Sequence, residues 1–115
     1  MSWQVQFLHE KKYLKLISRF SRARQREITE KIQNLLGTYG PAVMSSGHGK
    51  ALGDGLYELK LDLPPEVLLR VFFVVKGQSV IVVLSAYDKK ANDSRSWQNR
   101  QILAARRLQK DLETL

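Results

Sequence analysis

The chain reads as an α+β domain: an N-terminal strand, a two-helix hairpin, an antiparallel β-meander and a C-terminal helix. Three observations predict it. Residues 3–8 alternate apolar and polar, residues 9–36 repeat with the period of a helix, and three apolar runs between residues 56 and 87 are separated only by turn-forming residues. A chain of 115 residues suits one modest core, so a single domain over residues 1–115 is expected.

Taken in order, Trp3, Val5 and Phe7 alternate with Gln4 and Gln6, the pattern of a half-buried strand. From His9 the spacing changes. Tyr13, Leu16, Ile17 and Phe20 fall on one helical stripe, and Ile28, Ile32, Leu35 and Leu36 repeat it. Ser21 stands between the two pieces, where its hydroxyl can accept from an orphan backbone N–H and cap the second helix. Gly37 to Pro41 ends the helical region. Pro41 to Gly55 is rich in Gly and Ser and reads as a loop with a short strand near Lys50 to Leu52. Asp54-Gly55 is a turn signal, because Gly tolerates positive φ. Strands follow at about 56–63, 67–76 and 79–87, divided by Pro64-Pro65 and Lys76-Gly77-Gln78, as consecutive antiparallel strands. Ala91-Asn92-Asp93-Ser94 then supplies caps for a last helix from about Ser96 to Glu113. Its apolar stripe is Ile102, Ala105, Leu108 and Leu112, with Arg100, Arg107 and Lys110 on the opposite side. Helices covering one face of the sheet complete the layout.

Composition narrows the function. Nineteen Lys and Arg against 11 Asp and Glu leave a formal charge of +8, which favours an anionic partner such as RNA, DNA, a ribosome or an acidic protein segment. Cysteine is absent, which excludes disulfides, a thiol nucleophile and a thiolate metal site. No basic stretch followed by a long apolar run opens the chain, so neither a secretory signal nor a membrane span is expected, and a cytoplasmic location is.

Alternation along strands groups the candidate functional residues. Glu58 and Lys60 share one face of the first meander strand, and Tyr57, Leu59 and Leu61 share the other. Arg70 and Phe72 share a face of the next strand, opposite Leu69, Val71 and Phe73. The apolar sets must meet the helices, so Glu58, Lys60, Arg70 and Phe72 are expected together on an open sheet face. Such a set suits RNA cleavage without metal or cofactor: a base takes the 2′-hydroxyl proton, cations stabilise the phosphorane, an acid protonates the leaving 5′-oxygen, and the aromatic stacks a base. The competing reading is a surface ion-pair group of little energetic worth.

The order and spacing of several segments carry a resemblance. They are Tyr39-Gly40-Pro41, Leu52-Gly53-Asp54-Gly55-Leu56-Tyr57-Glu58-Leu59-Lys60, Leu69-Arg70-Val71-Phe72-Phe73, the strand Val80 to Leu84 leading to Lys89-Lys90, and Ala105-Arg106. From about Trp3 to Leu112 the chain resembles the HigB-like, phage-derived branch of the RelE/ParE toxin superfamily. The resemblance implies a RelE-like fold and the toxin of a type II toxin–antitoxin pair, an endoribonuclease that cuts messenger RNA on the ribosome. It implies that Lys60 and Arg70 serve the scissile phosphate and that Lys89 or Lys90 acts after the last strand. It also implies a cognate antitoxin, expected to carry a helix-turn-helix, as partner. The chain departs from the branch in having Lys60 where Arg is frequent, and Tyr87-Asp88-Lys89-Lys90-Ala91 where Phe-x-Lys-Lys-Thr is usual.

Glu58 or Lys60 is then the candidate proton acceptor, with Lys89, Lys90 or Tyr87 on the leaving side or flanking RNA. Weaker candidates for touching RNA are His48, in the Gly-rich loop, and Trp97, at the start of the last helix, where core packing is the alternative. Gly47-His48-Gly49-Lys50 fails the P-loop pattern because position 44 is Met and position 51 is Ala. His9 and His48 are not spaced as a metal pair, so no metal is expected. Two rival functions remain at this stage: a ParE-like toxin that binds DNA gyrase through its helical hairpin, and a catalytically silent relative that binds nucleic acid or protein.

Overall fold

A computed structural model describes residues 2–114. Its elements are β1 (Gln4–Phe7), α1 (Glu10–Ile17), α2 (Arg22–Tyr39), a 3-10 helix (Gly40–Ser46), β2 (Gly49–Gly53), β3 (Leu56–Leu63), β4 (Val67–Lys76), β5 (Val80–Asp88) and α3 (Arg95–Glu113). Caps mark two helix starts as expected. The Ser21 hydroxyl accepts from the N–H of Arg24 at 3.1 Å, and that of Ser94 accepts from Trp97 at 3.2 Å, each worth about 1 kcal/mol. Asp54 and Gly55 turn the chain between β2 and β3 with φ of 54° and 82°.

Two expectations about the sheet need correction. Strands β2 to β5 do form an antiparallel meander, but the order is β1-β5-β4-β3-β2, with β1 parallel to β5. The first strand therefore closes the sheet beside the last, and the sheet is mixed. Nor do the helices lie on a single face. Helices α1 and α2 cover one side, where Ile17, Ile28, Ile32 and Leu36 pack with Leu59, Leu61, Leu69, Val71 and Phe73. Helix α3 covers part of the other, with Ala105, Ile102 and Leu108 against Leu56, Phe72, Val74, Val82 and Leu84. Burial on both faces explains why β4 is an apolar run broken within only by Arg70.

The segment read as a loop after Pro41 is mostly ordered into the 3-10 helix and β2. Gly49 is needed where β2 meets β3. A Cβ there would lie 2.1 Å from the carbonyl oxygen of Glu58. Helix α3 is fastened over the β2–β3 turn by Arg106, which donates to the carbonyls of Gly53 and Leu52 at 2.8 and 2.6 Å, and by Gln109, which donates to that of Asp54 at 2.7 Å. No helix among the described residues is long and apolar enough to cross a membrane.

Candidate functional site

Lys60, Arg70 and Tyr87 form one row across three strands. Lys60 on β3 lies opposite Arg70 on β4, and Arg70 lies opposite Tyr87 on β5. With neighbouring strands about 4.8 Å apart, the row is about 10 Å long.

A bulge brings the tyrosine there. Phe72 pairs with Ser85 but Phe73 pairs with Val83, so Leu84 is an extra residue on β5. Unbroken alternation from Val82 would send Tyr87 to the α1/α2 side. The extra residue reverses the alternation, so Ala86 packs on that side and Tyr87 joins Phe72 and Leu84 beneath α3.

The expected open face is only partly open. Lys60 is exposed, and its backbone N–H donates to the carbonyl of His48 at 2.7 Å, which holds the exposed His48 beside the row. Arg70, in contrast, is 6% exposed. Its Nη1 donates to Oδ1 of Asp62 at 2.7 Å and to its neighbour Leu69's carbonyl at 2.9 Å. Glu58 is also buried, and Nζ of Lys50 approaches its Oε1 to 3.9 Å. Helix α3 covers the neighbouring Phe72 and Tyr87 on this face, a layer that periodicity alone does not register.

Phe72 departs furthest from expectation. It is fully buried and so is not available to stack a base. It stacks instead on Tyr87, with ring centroids 5.7 Å apart and planes at 25°. Tyr87 is itself 4% exposed. Burial pushes its hydroxyl above its usual pKa, the Glu58 carboxylate pushes the same way, and the Arg70 cation opposes them. These interactions favour the neutral hydroxyl, a hydrogen-bond donor.

After β5 the two lysines part. The backbone N–H of Lys89 donates to the carbonyl of Leu68 at 2.8 Å, extending the pairing of β5 with β4. Nζ of Lys90 donates to the carbonyl of Pro65 at 2.5 Å, in the β3–β4 turn. Asp88 shapes this end: Oδ1 accepts from the backbone N–H groups of Lys90 and Ala91 at 3.0 and 3.3 Å, and Oδ2 from Nε of Arg19 at 2.9 Å. Trp97 is half-buried against the α3-side core, as the packing alternative has it, and its Nε1 is buried without a partner.

Three residues near the row escaped sequence reasoning. Asp62 carries a legible signal, since alternation puts it on the face of Glu58 and Lys60. Lys50 falls in the short expected strand, but its pairing with Glu58 depends on the β2–β3 register. Asp88 contacts Arg19 across 69 positions of sequence, and no local pattern marks that contact. Among the described residues no group of three or more His, Cys, Asp or Glu is placed to hold a metal ion.

Fold and site together define a small α+β protein with a strongly basic balance and a cation-bearing row on its sheet. Residues 15–110 match the family of phage-derived Gp49-like proteins (DUF891), and the chain belongs to that family. The family falls within the RelE/ParE-like toxin superfamily and is consistent with the toxin of a toxin–antitoxin pair. No curated protein matches the chain.

Proposed function

We propose that this chain is a HigB-like toxin that cleaves ribosome-bound messenger RNA without metal, by attack of a 2′-hydroxyl on the adjacent phosphate. The observation that carries this reading is the Lys60–Arg70–Tyr87 row. Two cations flank a position for the phosphate, where they offset the negative charge that grows in the phosphorane. The neutral Tyr87 hydroxyl, backed by Phe72, is the group to protonate the leaving 5′-oxygen. Glu58 is a carboxylate on the same face, suited to take the 2′-hydroxyl proton, and Lys60 is the other base. Lys89, directly after β5, and His48, whose carbonyl accepts from the Lys60 N–H, are further groups to touch the RNA.

The partner is an antitoxin. A chain of +8 attracts an acidic segment, and the association is fast and salt-sensitive. Co-expression of a helix-turn-helix antitoxin encoded beside the toxin restores growth under this reading.

A second reading, a silent nucleic-acid-binding relative, is favoured by one observation: Arg70 is 6% exposed. Incubating the purified chain with programmed ribosomes and mapping the RNA ends separates the two. Cleavage that leaves 2′,3′-cyclic or 3′-phosphate ends supports the nuclease. Ends with 5′-phosphate and 3′-hydroxyl contradict its chemistry, and intact message together with binding supports the silent relative.

A further inference from the structure

Arg70 is buried, yet only one corner of its guanidinium is engaged. Both N–H groups of Nη1 are used, on Oδ1 of Asp62 at 2.7 Å and on the carbonyl of Leu69 at 2.9 Å. Among the described residues, Nε and Nη2 have no protein acceptor. Nor are they sealed away, since Nε1 of Trp97 is the one buried side-chain polar atom there that lacks a partner. A planar guanidinium tied at one corner keeps its plane fixed and its remaining edge available, and that edge is the fork that grips phosphate oxygens in pairs. Asp62 is partly exposed and lies two residues beyond Lys60 on the same strand face.

We propose that Asp62 is a positioning residue: its carboxylate fixes the plane of the Arg70 guanidinium so that the Nε–Nη2 edge faces a phosphodiester lying along the Lys60–Arg70–Tyr87 row. The inference rests on reading that row as a phosphodiester site. It differs from two other roles for the same contact. A blocking carboxylate would compete with phosphate for Arg70. A counter-charge would merely offset the cost of burying a cation, and any carboxylate within reach would do.

Two substitutions separate these roles. Asp62→Asn keeps an acceptor oxygen in place and removes the charge. Asp62→Glu keeps the charge and moves it by a methylene, and a displacement of about 1 Å at a reacting centre can cost about a hundredfold. The wild type, both variants and Arg70→Ala are compared in single-turnover cleavage of ribosome-bound message. The side-chain Nε–Hε resonance of Arg70 is followed by NMR in the first three. Positioning predicts that Asp62→Asn stays within about threefold of wild type, while Asp62→Glu slows cleavage by about tenfold or more at an unchanged half-saturating concentration. It also predicts a sharp Arg70 resonance in wild type and Asp62→Asn that shifts and broadens in Asp62→Glu. Equal rates for Asp62→Glu and wild type overturn it in favour of a counter-charge, and a loss in Asp62→Asn as large as in Asp62→Glu overturns it because an acceptor oxygen in place would then not suffice. A gain of about tenfold in Asp62→Asn overturns it in favour of a block. Should the wild type not cleave at all, the nuclease reading falls, and the resonance still decides: the same line in all three proteins overturns positioning.

Discussion

Tyr87 lies directly opposite Arg70 across β4 and β5, although alternation counted along β5 puts it on the other face of the sheet. The bulge at Leu84 makes the difference. Because Tyr87 is buried over Phe72 and near Glu58, its proton is held more tightly than in an exposed tyrosine.

That relationship predicts an alkaline signature. The folded-state pKa of Tyr87 is raised, so its contribution to stability is full below the unfolded value of about 10 and is lost as pH rises through the folded value. Urea unfolding of wild type and Tyr87→Phe at neutral and strongly alkaline pH checks this. The stability difference between the two proteins should shift against the wild type at alkaline pH. Tyr13, also pushed up by burial, is present in both and cancels.

The same hydroxyl is assigned the proton for the leaving oxygen. Tyr87→Phe should stay folded, because the ring and its stacking remain, and should lose about a hundredfold or more in single-turnover cleavage. Cleavage at the wild-type rate would pass the acid role to another group.

Phe72 is core, not a base platform. Phe72→Ala should lower unfolding free energy by about 3–5 kcal/mol, read by denaturant unfolding. A stable protein that had lost only RNA affinity would restore Phe72 to the surface.

Gly49 permits the close approach of β2 to β3. Gly49→Ala should destabilise the protein by about 1–3 kcal/mol. Hydrogen exchange of the Lys60 amide, bonded to the His48 carbonyl, should also quicken.

Much of this architecture was legible in the sequence. Three strands are found within a residue or so of where their turn residues put them, because Pro64-Pro65 and Lys76-Gly77-Gln78 leave little choice of boundary. The stripe Ile102, Ala105 and Leu108 of α3 does meet the sheet. The errors have two physical origins. A strand buried on both faces has no polar alternation, so the run Val80 to Leu84 conceals both the bulge and the second helical layer. With that layer unrecognised, Arg70 and Phe72 were expected on an open face. The parallel pairing of β1 with β5 joins segments more than 70 residues apart, as in Gln4 with Val80, and nothing local encodes it. Of the candidate site, Lys60 and Arg70 were grouped by type and strand alternation, and Tyr87 entered beside Lys89 and Lys90 only with the resemblance. The common row of Lys60, Arg70 and Tyr87, and the hold of Asp62 on Arg70, depend on strand register.

The central claim is that Arg70 carries transition-state charge, and the single-turnover rate of Arg70→Ala on ribosome-bound message tests it most directly. Loss of one such donor costs about 2.7–4 kcal/mol of barrier, so a folded Arg70→Ala protein should cleave about a hundredfold to a thousandfold more slowly than wild type and no longer arrest growth. A folded variant that cleaves as fast as wild type would contradict the account.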